Sequence, residues 1–103
     1  MIIVSVFYPK TESSSFNMDY YCNNHIPMVQ ELVGAALKEV AVEGGLGGGT
    51  PDAPPPYAAM GHLYFDTVEE FQASFGPHAA AIMADVPNYT DVAPVVQVSE
   101  IHI

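Results

Sequence analysis

Residues 2–8 read Ile2-Ile3-Val4-Ser5-Val6-Phe7-Tyr8, and Pro9 follows. β-Branched and aromatic residues stopped by a proline predict a strand. Alternation puts Ile2, Val4, Val6 and Tyr8 on one face and Ile3, Ser5 and Phe7 on the other. Both faces are mostly apolar, so this strand should be covered on both sides. Three more strands follow from the same reasoning. Leu37 to Val42 has Val40 and Val42 on one face. Tyr57 to Phe65 places Met60, His62 and Tyr64 on one face, and Ala59, Gly61, Leu63 and Phe65 on the other. Val95 to Ile103 places Val96 and Val98 opposite Val95, Gln97, Ser99 and Ile101.

The segments between the strands read as helices. Asn17 has the character of an N-cap, with Phe16 before it and Asp19 in the first turn. The helix runs through Tyr20 and Tyr21, meets Pro27, continues through Met28, Val29, Leu32 and Val33, and ends near Gly34. Pro27 has no N–H for the carbonyl of Asn23 and should bend the helix, drawing Ile26 away from the α region. Thr67 and Glu70 fit a capping box for a second helix carrying Val68, Phe71 and Phe75. Pro77 opens a short further helix with His78, Ile82 and Met83, which Pro87 ends. Residues 44–56 hold five glycines and four prolines and form a loop, either a mobile functional one or a plain hairpin extension.

The order is strand, helix, strand, strand, helix, strand. It predicts an α+β, ferredoxin-like βαββαβ fold: one domain over residues 1–103, with an antiparallel sheet and both helices on one face. The other sheet face is then apolar and bare. A second copy packed sheet against sheet covers it most simply, which predicts a homodimer, a dimeric α+β barrel.

Acidic residues outnumber basic ones twelve to two, a formal net charge of −10. Such a chain repels phosphate backbones and anionic membranes, so neither nucleic acid nor membrane is an expected partner. A neutral, apolar small-molecule ligand fits better. Cys22 is the only cysteine, so no internal disulfide forms. With no leader-like start and no long apolar run, the expected location is cytoplasmic.

The chemistry-bearing stretch is Asp19-Tyr20-Tyr21-Cys22-Asn23-Asn24-His25-Ile26-Pro27-Met28. On a helix, Tyr21 and His25 lie at i and i+4 on one face. An imidazole beside a helix break can be aimed into a cavity, where it serves as general base or acid. The bland reading is a half-buried histidine that orders the break. Tyr21 is either its hydrogen-bond partner or a core aromatic. His62, with Met60 and Tyr64 beside it, is a second polar anchor for a ligand or a satisfied histidine among packing residues. Ser5 and Gln97 interrupt apolar strands and are candidate pocket polar groups. Tyr89 either closes the pocket mouth or, the plainer reading, anchors its loop as an aromatic. No His-x-x-x-His or His-Glu-x-x-His spacing occurs and no dinucleotide fingerprint follows the first strand, so neither metal nor cofactor is expected.

In combination, Phe16-Asn17-Met18-Asp19-Tyr20-Tyr21, His25-Ile26-Pro27-Met28, Met60-Gly61-His62-Leu63-Tyr64-Phe65, Pro77-His78, Asp85-Val86-Pro87-Asn88-Tyr89-Thr90 and Gln97-Val98-Ser99-Glu100 resemble the EthD family of the dimeric α+β barrel superfamily. That family is named for genes beside a cytochrome P450 system that degrades ethyl tert-butyl ether. The wider superfamily includes cofactor-free monooxygenases, polyketide cyclases, muconolactone isomerases and haem-degrading enzymes. The resemblance implies a small cofactor-independent enzyme, oxidoreductase-like or of the cyclase or isomerase type, acting on an apolar molecule. The alternative is a non-catalytic protein that holds such a molecule for a partner oxygenase.

Overall fold

In a computed structural model describing residues 1–103, the apolar run at the start forms β1 (Ile2–Pro9), which is paired on both sides. The sheet order is β2 (Glu39–Gly44), β3 (Tyr57–Phe65), β1, β4 (Val95–Glu100), and every pairing is antiparallel. This is the expected ferredoxin-like α+β arrangement. Residues directly opposite in antiparallel strands share a face. The register sets Ser5 opposite both His62 and Gln97, and Val4 opposite both Leu63 and Val98.

The first helical layer starts where Asn17 caps α1 (Met18–Tyr20): its side-chain oxygen accepts the Tyr20 N–H at 3.0 Å. A π-helical turn, Tyr21–His25, follows, in which the Ile26 N–H donates to the Tyr21 carbonyl. Then comes α2 (Ile26–Val33), closed by Gly34 at φ +77°. Ile26 is α-helical, at φ −62° and ψ −45°, and does not leave the α region as expected. The widened turn before it absorbs the break, and Pro27 falls in the first turn of α2, where its missing N–H costs little. The second layer is α3 (Val68–Phe75), a 3₁₀ turn, and α4 (Ala79–Ala84). The Thr67 hydroxyl accepts the Glu70 N–H at 3.1 Å, as the capping pattern predicts.

Several strand boundaries differ from expectation: β1 runs one residue further, through Pro9, and β2 runs on to Gly44, the first residue of the expected loop. β2 begins at Glu39, because residues 34–36 make a 3₁₀ turn and Leu37 donates back to Gly34 at 3.1 Å. β4 ends at Glu100, because its partner strand begins at Ile2 and the last bond, Ile101 N–H to the Met1 carbonyl, exhausts the ladder.

Both helical layers lie on one side of the sheet. The core there joins Ile2, Val4, Leu63 and Phe65 to Val29 and Val33 of α2 and Ile82 of α4. The layers do not extend over β4, whose Val96 and Val98 stay exposed on this side while Val95 is exposed on the other. No helix is long and apolar enough to cross a membrane. Where the first layer meets β3, the Tyr21 phenol lies against the backbone of Gly61, and a Cβ there would collide with the hydroxyl. Gly61→Ala is therefore expected to displace Tyr21 and destabilise the fold by about 1–3 kcal/mol, read from urea unfolding.

Candidate functional site

His25 ends the π turn and is 4% exposed. Its ring stacks on Tyr21, with centroids 5.4 Å apart and planes at 15°, so the i, i+4 pairing survives the widened turn. The partner that orients it is Asp85, just after α4, whose Oδ2 lies 2.9 Å from Nδ1. An ionised carboxylate only accepts, so Nδ1 carries the proton and Nε2 presents its lone pair when the ring is neutral. The other carboxylate oxygen accepts from the Tyr20 hydroxyl at 2.8 Å and from Asn88 Nδ2 at 2.9 Å. Burial alone raises the Asp85 pKa, but the hydrogen bonds from Asn88, His25 and Tyr20 together hold it below the ordinary carboxylate value. The bond to Asp85 in turn pushes the Tyr20 phenol up.

Tyr89 comes to the site from the loop after α4. The Asn17 N–H donates to its carbonyl at 2.8 Å, and the Thr90 hydroxyl donates to the Ser15 carbonyl at 2.7 Å. These bonds tie the loop to the segment that caps α1. The Tyr89 hydroxyl lies 3.4 Å from His25 Nε2 and 2.7 Å from the hydroxyl of Tyr8, on β1. Tyr8, Tyr21 and Tyr89 are each about as buried as His25, and burial raises all three phenol pKa values, so they stay neutral.

These four rings form the inner end of a cavity of about 90 Å³ between sheet and helices. The remaining wall is hydrophobic and includes Val4, Val29, Leu63, Phe71 and Ile82. Its exposed members, Met83 and Val96, place the opening beside β4. The imidazole faces a pocket that is apolar except at one end. That suits proton transfer to or from a mainly hydrophobic molecule.

The other predicted residues lie elsewhere. Ser5, Met60, His62, Tyr64 and Gln97 occupy the opposite face of the sheet, so the sheet separates them from His25 and none lines the cavity. There the Ser5 hydroxyl donates to His62 Nδ1 at 2.9 Å, and His62 Nε2–H donates to Glu43 at 2.7 Å, a chain that satisfies itself. Tyr89 lies at the inner end of the cavity, 3% exposed, and not at its mouth. Asp85 and Tyr8 were not foreseen as site residues. The clue to Asp85 was a lone carboxylate among apolar residues two positions before a proline, and the clue to Tyr8 was its place on the apolar face of β1. No group of three or more His, Cys, Asp or Glu side chains is placed to hold a metal ion.

The EthD domain model matches residues 10–93. An EthD-like protein from Ralstonia eutropha is 44% identical, with a TM-score of 0.94 over 99% of this chain and 92% of that one. An ethyl tert-butyl ether D (EthD) family protein from Bacillus halodurans, 18% identical, has a TM-score of 0.73 over 97% of each chain. HapK from Hahella chejuensis, 12% identical, has a TM-score of 0.55 over 100% of this chain and 95% of that one. These last two share the fold. No curated protein is a significant match.

The lowered Asp85 pKa has a defined sign in stability. A carboxyl whose folded pKa is depressed contributes stability that is complete above the ordinary value of about 3.9 and is lost as pH falls through the folded value. At neutral pH, Asp85→Asn is expected to be less stable than the native chain by about 1–3 kcal/mol. Urea melts at a series of pH values should show that gap closing below about pH 4.

Proposed function

The chain belongs to the EthD family, and on that footing we propose that it is a proton-transfer enzyme in which His25 acts on a small, mainly apolar molecule held in the cavity between helices and sheet. The observation that carries this reading is the 2.9 Å bond from His25 Nδ1–H to Asp85. It turns Nε2 toward the cavity, beside the Tyr89 hydroxyl, while a half-buried carboxylate stands behind the ring to stabilise the imidazolium. Proton abstraction is the step shared by isomerase, cyclase and cofactor-independent oxygenase chemistry, and the site supplies that step in each case. Tyr21 keeps the ring plane fixed by stacking, and Tyr89 caps the reacting nitrogen.

The test is exchange of acidic carbon-bound protons in deuterated water, followed by NMR over a set of small cyclic ketones and phenols. His25→Gln is expected to lower the rate about 100-fold to 10,000-fold. Undiminished exchange in that variant removes His25 from the chemistry. Binding without turnover by the native chain favours the second reading, a carrier that holds a hydrophobic intermediate for a partner oxygenase. The almost wholly apolar wall of the cavity supports that alternative.

We also infer that two copies pack through the sheet face away from the helices. Ile3, Phe7, Met60 and Tyr64 are only half-buried there, and Val95 of the edge strand β4 is exposed on the same face. A face of this kind, with its central Ser5–His62–Glu43 chain already satisfied, suits a self-complementary contact. Light scattering at micromolar concentration should give twice the 11.0 kDa chain mass, and Phe7→Asp should shift the protein to the single-chain mass. A native chain that runs as one subunit excludes this arrangement.

A further inference from the structure

Tyr8 is 2% exposed, lines the cavity together with Tyr21, His25 and Tyr89, and has no part in the chemistry assigned to His25. Its partner is Tyr89, at 2.7 Å, and Tyr89 in turn reaches His25 Nε2 at 3.4 Å. The order of donation along this chain follows from its far end. Asp85 accepts from Nδ1–H, so a neutral ring accepts at Nε2 from Tyr89 O–H. Tyr89, its proton committed, accepts from Tyr8 O–H. The oxygen of Tyr8 then has two lone pairs: the Tyr21 hydroxyl is placed to donate to one, and the other is left to accept a hydrogen bond from a ligand. If the imidazole is protonated, each bond reverses, and the Tyr8 O–H becomes a donor toward the cavity.

We propose that Tyr8 and Tyr89 form a two-phenol relay between a ligand hydroxyl and His25, and that the ligands of this site are small aromatic or enolic molecules with an ionisable O–H. The proposal rests on the cavity being the ligand site. The ligand O–H bond breaks and its proton passes to the Tyr8 oxygen. Tyr8 passes its own proton to Tyr89, and Tyr89 passes its own to His25 Nε2. No electrons change hands. The products are a ligand oxyanion hydrogen-bonded by Tyr8 O–H, two neutral phenols, and an imidazolium beside the Asp85 carboxylate. Burial keeps both phenols neutral before and after the transfer. Donors already aimed at the site of charge stabilise the oxyanion without reorganisation.

The size of the cavity points to the same class. An apolar cavity of about 150 Å³ holds benzene. This one, at about 90 Å³, is smaller but opens at Met83 and Val96. That volume limits the occupant to about a single ring, part of it at the mouth.

The test uses the full chain and fluorine NMR titrations with para-fluorophenol and with fluorobenzene, the same ring without the hydroxyl. The native protein should bind the phenol at least about tenfold more tightly. The ionisation of the bound phenol should move to lower pH by at least about one unit relative to the free phenol. In Tyr8→Phe, fluorobenzene binding should persist, while the preference falls below about threefold and the ionisation shift disappears. Tyr89→Phe should behave alike and serves if Tyr8→Phe does not fold. His25→Gln should abolish the ionisation shift. An unchanged preference and an unchanged ionisation shift in both tyrosine variants overturn the relay while leaving the cavity reading intact. Equal binding of the two probes by the native chain does the same. Binding of neither probe overturns the cavity reading and the relay with it.

Discussion

The approach of the Tyr21 hydroxyl to the backbone of Gly61 sets the distance between the first helical layer and the sheet. Only a residue without a Cβ leaves room for the phenol. With Tyr21 held there, the ring stacked on it, His25, has one position, and the cavity begins where those two rings end. Tyr8 and Tyr89 close the same corner, with ring centroids 5.4 Å and 5.0 Å from Tyr21. A packing contact in the middle of a strand therefore places the most polar group of an apolar pocket.

Electrostatics at that corner are arranged in sequence. Asp85 draws three hydrogen bonds from groups on three different segments: Tyr20, His25 and Asn88. Its negative charge is held near the protein surface and is passed inward only as the orientation of an imidazole. Beyond His25 the groups are neutral phenols and then hydrocarbon. In the proposed reaction, a charge formed in the pocket lies beside phenol hydroxyls in mainly hydrocarbon surroundings, where each interaction is stronger than in solvent. The chain carries ten excess negative charges, and the only cation placed at this corner is the histidine itself when protonated.

Local signals made most of the fold legible. The caps at Asn17 and Thr67, the stop at Gly34 and the alternation in residues 57–65 act within a few residues, and each stands where the pattern placed it. The helix break at Pro27 was legible as a break but not as a π turn, because the choice between bending and widening is made by what the turn packs against. In the site, the pairing of Tyr21 with His25 followed from helical spacing. Asp85 did not, since it reaches His25 from 60 positions away. Alternation told that Met60, His62 and Tyr64 share a face, but not that the helices cover the other one. The small residues on the opposite side, Ala59 and Gly61, mark the covered face, because a helical layer needs close approach.

The π turn holds one more residue than an α-helical turn would, and Cys22, Asn23 and Asn24 within it point to solvent. Deleting any one of them would leave every buried side chain unaltered and still permit a continuous helix. It would also swing everything upstream by about 100°, the angular step of one residue. Tyr20 and Tyr21 would turn away from Asp85 and Gly61 together. The geometry around His25 is therefore more sensitive to the length of this exposed segment than to which amino acids compose it.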